Sequence, residues 1–242
     1  MIAQMGGMPA VLKALTDRER QVIAALLAKQ VDGIIVMGRG VDLRPPVSIG
    51  RSGLPVVYAF TSADDPDALS LIPDDAQGAT LATEHLIGLG RRRFVHITGP
   101  LHRAAVRTRQ EGMASALAAH GITLQEDQVH YGEWTEGSGY AALTRLLERD
   151  PGIDAAFCGS DIIARGVLDA LREHGRTIPD DVAVVGFDNW DIIASHARPP
   201  LTTIDMNLHD LGRAAAERLL ASLNGVAEAG IVRLPCSLVV RE

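Results

Sequence analysis

Cysteine is nearly absent from this chain: its 242 residues hold two, Cys158 and Cys236, far apart in sequence. Two scattered thiols make neither a disulfide framework nor a metal site, and they fit a reducing compartment. Each falls in a stretch read as a strand, so burial is the expected role of both. Aromatic residues are scarce at 4%, which makes those near polar clusters worth locating. Lysine occurs only at Lys13 and Lys29, so arginine carries the positive charge, and the formal net charge is −7. That balance argues against a large nucleic-acid surface within these residues. No apolar run approaches the roughly 20 residues of a membrane span. Met1 is not followed by the basic and apolar segments of a secretory leader. The expectation is a cytoplasmic chain without a membrane partner. The histidines show no H-E-x-x-H spacing, and Ser160 lacks the G-x-S-x-G setting of a nucleophile elbow. No metal, cofactor or catalytic residue is therefore expected.

What is present is apolar and periodic. Hydrophobic residues make up 47% of the chain, enough for real cores in two ordinary domains or one large one. The most informative stretch runs from Ile153 to Asp191. Ile153 to Cys158 reads as a strand buried on both faces. Gly159-Ser160-Asp161 breaks it, and Ile163, Val167, Ala170 and Leu171 then recur at helical spacing. His174-Gly175 ends the helix, Pro179-Asp180-Asp181 turns, and Val182 to Gly186 is a second strand. Strand, crossover helix and strand of this length make a parallel βαβ unit. Its strands end in Ser160-Asp161 and Asp188-Asn189, at the edge where open α/β sheets bind ligands. Cap and turn roles for these acids are the plainer alternative.

Elsewhere the alternation continues. Ala10 to Leu15 could be a short strand, with Thr16 and Glu19 as the capping box of a following helix. Strands are expected at Ile34 to Met37, Val56 to Ala59, Leu69 to Ile72, Phe94 to Thr98, Val129 to Tyr131, Leu201 to Ile204 and Leu238 to Val240. Helices are expected after Asp74-Asp75, through Ala119, over Gly137 to Leu147 and from about His209 to Leu223. Arg91-Arg92-Arg93 follows a helix end, where cations suit the dipole. The pattern predicts α/β architecture with parallel sheets.

These stretches, in this order, resemble the effector-binding core of LacI/GalR-family transcription regulators. The resemblance runs from about Thr16 to Glu242. It is carried by VDGIIV at 31–36, ATEHLIGLGRRRFVHITGP at 82–100, the R-x-x-G of Arg109 to Gly112, GSDIIARGVLDAL at 159–171, IPDDVAVVGFDN at 178–189, PPLTTID at 199–205 and LPCSLVVRE at 234–242. It implies two Rossmann-like subdomains of periplasmic-binding-protein-like type I, joined by three crossover segments. One would hold 1–75 with 207–232, the other 78–204 with 235–242. A ligand would lie in the cleft between them. The family also places a helix-turn-helix domain before this core, and its cores open with a strand and a helix that the residues before Thr16 leave no room for.

The resemblance implies a small-molecule effector, a sugar or a nucleoside-like ring, a homodimer, and DNA reached only through an N-terminal domain absent from these residues. Arg109 matches the family's ligand-contacting arginine, and Asp188 the carboxylate that accepts from sugar hydroxyls. These two would stand at the same edge of neighbouring strands. Ser160 sits at a polar contact position, Trp134 could stack on a ring, and Phe60, Met206 and Leu208 would form an apolar wall. A solute-binding protein of a sugar transporter shares the fold and stays as the alternative. A sugar-modifying enzyme would need a catalytic pair that the sequence does not offer.

Overall fold

The computed structural model describes residues 8–50 and 53–241, with side chains described from residue 17. In chain order the first elements are helix α1 (Met8–Ala28) and strands β1 (Ile34–Met37), β2 (Leu43–Arg44), β3 (Val56–Ala59), β4 (Ser62–Ala63) and β5 (Leu69–Pro73). Helix α2 (Asp75–Gly88), β6 (Phe94–Thr98), α3 (Ala104–Ala119), β7 (Val129–Tyr131), α4 (Glu136–Arg149) and β8 (Ala155–Cys158) follow. The chain ends with α5 (Asp161–Glu173), β9 (Ala183–Phe187), α6 (Asp191–Ala194), β10 (Thr202–Asp205), α7 (Leu208–Leu223), β11 (Gly230–Leu234) and β12 (Ser237–Val239).

The chain divides into two compact units. One holds the chain up to Arg39 with Leu43–Ile72 and Leu211–Val232. The other holds Gly40–Asp42, Pro73–Asp210 and Arg233 onward. The first unit is built on a sheet in the order β1-β3-β5-β11, its first three strands parallel. Ile23, Val47, Tyr58 and Ala63 form its core, and the Tyr58 hydroxyl accepts from the Val47 amide at 2.8 Å.

The second unit has the sheet order β12-β10-β9-β8-β6-β7, parallel except for β12. Every residue of β6, β8 and β9 is buried, as expected of parallel strands covered on both faces. The expected βαβ unit is present: β8 and β9 pair in parallel, with α5 between them. Ile163, Val167, Ala170 and Leu171 of α5 are wholly buried against Val95, Ile97, Ala156 and Cys158. Gly175 closes the helix at φ +67°, a left-handed conformation natural for glycine.

Two readings of the sequence are corrected. Ala10 to Leu15 is helical, and Thr16 lies inside α1 instead of capping it. From Ala10 to Ala28 no Gly or Pro interrupts a run rich in Ala, Leu and Arg, and Pro9 falls in the first turn, where it is tolerated. Cys236 lies between β11 and β12, not in a strand, though both thiols are buried and free. The arginine triplet is tied down locally. Arg91 donates to the carbonyls of Pro179 and Asp180, and Arg93 pairs with Asp150. Among the described residues no helix is long and apolar enough to cross a membrane.

Candidate functional site

A buried guanidinium must have its charge met and its N–H donors occupied. Arg109, in the second turn of α3, is 5% exposed and meets both demands within the second unit. Its Nε donates to Asp75 Oδ1 at 2.7 Å, and its Nη1 donates to the Gly159 carbonyl at 2.6 Å. Nη2 reaches Met206 Sδ at 3.7 Å. The plane is backed by Phe187, whose ring centroid is 3.6 Å from Cζ. Phe157 stands 6.4 Å from Phe187, and His96 stacks on Phe157 at 4.8 Å. A row of rings thus underlies the cation. Burial lowers the His96 pKa to about 4, so its ring is neutral at pH 7.

Local sequence explains why Asp75 is there. Asp74 caps α2 by accepting from the Gln77 amide at 3.0 Å. Asp75 has no capping role and is 3% exposed. Helices α2 and α3 can approach because Gly112 lacks a side chain: a Cβ there would strike the Ala76 carbonyl oxygen. In R-x-x-G, then, the glycine seats the helix and the arginine faces the buried acid.

Asp188 directly follows β9 at φ +112°, a strained conformation for a residue with a Cβ. Its amide donates to the Ile204 carbonyl at 2.8 Å. Its carboxylate is 14% exposed and lies 4.0 Å from Arg109 Nη1. Among the described residues no side chain or amide hydrogen-bonds to that carboxylate. Burial pushes its pKa up to about 7; Arg109 opposes the rise, while Asp161 and Asp75 add to it. Burial also raises Asp75, against the pull of Arg109.

Asp161 has the structural role. It is fully buried and accepts from the Thr203 hydroxyl and, at 2.8 Å, from the Trp190 amide. It therefore pins the loop that carries Asp188, and burial raises its pKa to about 6. Asn189 is clamped beside it, donating to Asp205 at 2.8 Å and accepting from Arg241 at 2.7 Å.

The other expected residues fall as follows. Ser160 is buried and caps α5, accepting from the Ile163 amide at 3.3 Å. Trp134 is half-buried on the α4–α5 side core, and its indole occupies the space a Cβ on Gly99 would fill. Met206 is buried against Arg109. Leu208 opens α7 and is 40% exposed. Phe60 belongs to the other unit, just past β3, at φ +55°. One geometric expectation fails. Arg109 and Asp188 do not come from neighbouring strands, because β8 stands between β6 and β9; the arginine instead reaches across from the helix after β6.

Asp75 and Phe187 were missed in the sequence. A signal for Asp75 existed: Asp74-Asp75 is a doublet where one cap suffices. Phe187 adjoins Asp188 in a chain with four phenylalanines. Among the described residues no group of three or more His, Cys, Asp or Glu could hold a metal ion. The groups at this edge accept and donate hydrogen bonds around a fixed cation.

The periplasmic binding protein-like domain family matches residues 83–242. The HTH-type transcriptional regulator CelR of Thermobifida fusca is 36% identical over 228 residues, covering 93% of this chain and 67% of that protein. Catabolite control protein A of Priestia megaterium is 30% identical, covering 93% of this chain and 68% of that protein. Among solved structures, a transcriptional regulator CelR–cellobiose complex superposes with a TM-score of 0.75 at 32% identity, over 93% of this chain and 69% of that one. The Lac repressor bound to ONPG in the repressed state gives 0.76 at 29% identity, over 93% and 68%. The chain spans about two thirds of the length of these relatives.

Proposed function

Because this chain belongs to the LacI/GalR family of transcription regulators, as an effector-binding core, we propose that it senses a small neutral sugar at the Arg109–Asp188 edge of its larger unit. A second copy of the chain would complete the assembly, and the DNA affinity set by the ligand would reside in a helix-turn-helix domain outside these residues. The supporting observation is the state of the two charges. Arg109 is already anchored through Nε and Nη1, yet the Asp188 carboxylate 4.0 Å away accepts no hydrogen bond from the described residues. Vicinal hydroxyls suit such a pair, one accepting from the guanidinium and one donating to the carboxylate. The complex of CelR with cellobiose makes that disaccharide the first ligand to try.

Calorimetric titration with cellobiose, monosaccharides, nucleosides and sugar phosphates tests the reading. A neutral sugar is expected to bind. Asp188→Ala should weaken it by about 1–3 kcal/mol, since truncation leaves a buried ligand hydroxyl without its acceptor. Tight binding of a sugar phosphate, or affinity untouched by Asp188→Ala, would overturn it.

A further inference from the structure

Two carboxylates, Asp75 and Asp188, face one guanidinium, and all three side chains are no more than 14% exposed. The two contacts are unequal. Asp75 meets Arg109 at 2.7 Å, whereas Asp188 stands 4.0 Å away. Charge attraction rises as distance falls, and Asp75 adds a hydrogen bond that Asp188 lacks, so Asp75 holds the cation more strongly. We propose that Asp75 is the specificity-determining residue of this edge: by taking up the charge of Arg109, it makes the site refuse anionic ligands and leaves Asp188 to meet a neutral polyol. This rests on the reading of Arg109 and Asp188 as the effector contacts.

An arginine aimed at a ligand is ordinarily an anion-binding device. Here the buried set balances when the two acids hold one proton between them. The groups packed against Asp188 carry more negative charge than positive. Among the described residues Arg109 from α3 is the cation that acts on it, Asp75 approaches from α2, and Asp161 from the start of α5 adds a further negative charge. His96, on the far side of the ring stack, stays neutral and supplies no second cation. A phosphate or carboxylate brought to Arg109 would therefore enter a site whose cation is already matched and add an uncompensated negative charge. A hydroxyl brings no such charge. Burial is the main reason the Asp188 pKa is pushed up to about 7 with an arginine beside it, and the nearby carboxylates of Asp161 and Asp75 add to the rise.

Asp75→Asn keeps an oxygen for the Nε donor and removes the charge, which makes it the informative variant. Two measurements read it without reference to any sugar. Carboxylate carbon NMR should show Asp188 titrating near pH 7 in the wild-type chain. In Asp75→Asn that value should fall, because one neighbouring negative charge is gone and the pull of Arg109 on Asp188 is no longer shared. Calorimetry with inorganic phosphate should show binding at least about tenfold tighter in the variant than in the wild type. If ligand binding is found, the ratio of affinities for cellobiose and its aldonic acid should move the same way. Wild-type Asp188 titrating as an ordinary carboxylate would overturn the proposal, even if the variant failed to fold. So would a folded variant with unchanged Asp188 titration or unchanged phosphate affinity. Failure of every neutral sugar to bind, with the Asp188 shift present, would count against the sugar reading alone.

Discussion

At Asp188 two costs meet: a φ of +112° and a carboxylate only 14% exposed. Together they single out this residue for a test of function. The electrostatic cost has a definite pH signature. The folded carboxyl has its pKa raised to about 7, above the ~3.9 of an unfolded chain. The folded state therefore holds a proton that the unfolded state has released. Stability from this group is present at low pH and withdrawn as pH rises from about 4 through about 7. His96 works in the opposite sense. Its pKa is lowered to about 4, so its contribution is lost as pH falls below the ordinary histidine value. The two slopes overlap, and the difference between wild type and variant isolates Asp188. Asp188→Asn should leave stability nearly unchanged at pH 3 and raise it by about 2–4 kcal/mol at pH 8, measured by urea unfolding. A variant less stable than wild type at pH 8 would contradict the assignment. The same substitution should lose effector affinity, the usual exchange of stability for function.

Among the elements, the pairing of α2 with α3 decides where the guanidinium lies. Gly112 permits the close approach, since a Cβ would meet the backbone of Ala76, which cannot swing aside as a side chain can. Gly112→Ala should therefore cost about 2–3 kcal/mol in thermal or urea unfolding and also displace Arg109 from Asp75, weakening ligand binding. A variant with wild-type stability would show that the helices can part without loss. The periodic elements were legible in the sequence for a physical reason. Strands buried on both faces, such as Phe94 to Thr98, read as unbroken apolar runs, and α5 writes its buried face at every third or fourth residue. Ala10 to Leu15 was not legible, because a short apolar run suits strand and helix equally until its continuation is weighed. Arg109 and Asp188 were found through their motifs. Asp75 was hidden because an acid in a first helical turn has a sufficient local explanation, and only the fold reveals that its partner is 34 residues away. Trp134 shows the converse: an aromatic beside the predicted edge also serves as packing over Gly99.

For the molecule as a whole, the question is what covers the apolar groups left outside the two cores. On the larger unit, Trp190 is 47% exposed and Ile192 76%, both in the loop and short helix that follow Asp188. Large apolar side chains standing out beside a strained, well-tethered loop are more than a monomer's surface needs, and tryptophan is prominent at the centres of protein interfaces. Asp161 anchors this segment through the Trp190 amide, so it is held in place before any partner arrives. A second copy of the chain is the expected partner, with the segment Trp190 to Arg198 in a two-fold contact that places each copy's residues against the same patch of the other. That arrangement would also set the ligand edge at Asp188 two residues from the subunit contact, a short path for coupling the two. The expectation is a dimer by light scattering at concentrations on the order of tens of micromolar. Ile192→Asp should shift it to monomer without changing far-UV dichroism, because the side chain is outside the core and its replacement burdens only the interface with an unpaired charge. A monomer at that concentration, or a dimer indifferent to Ile192→Asp, would place the subunit contact elsewhere.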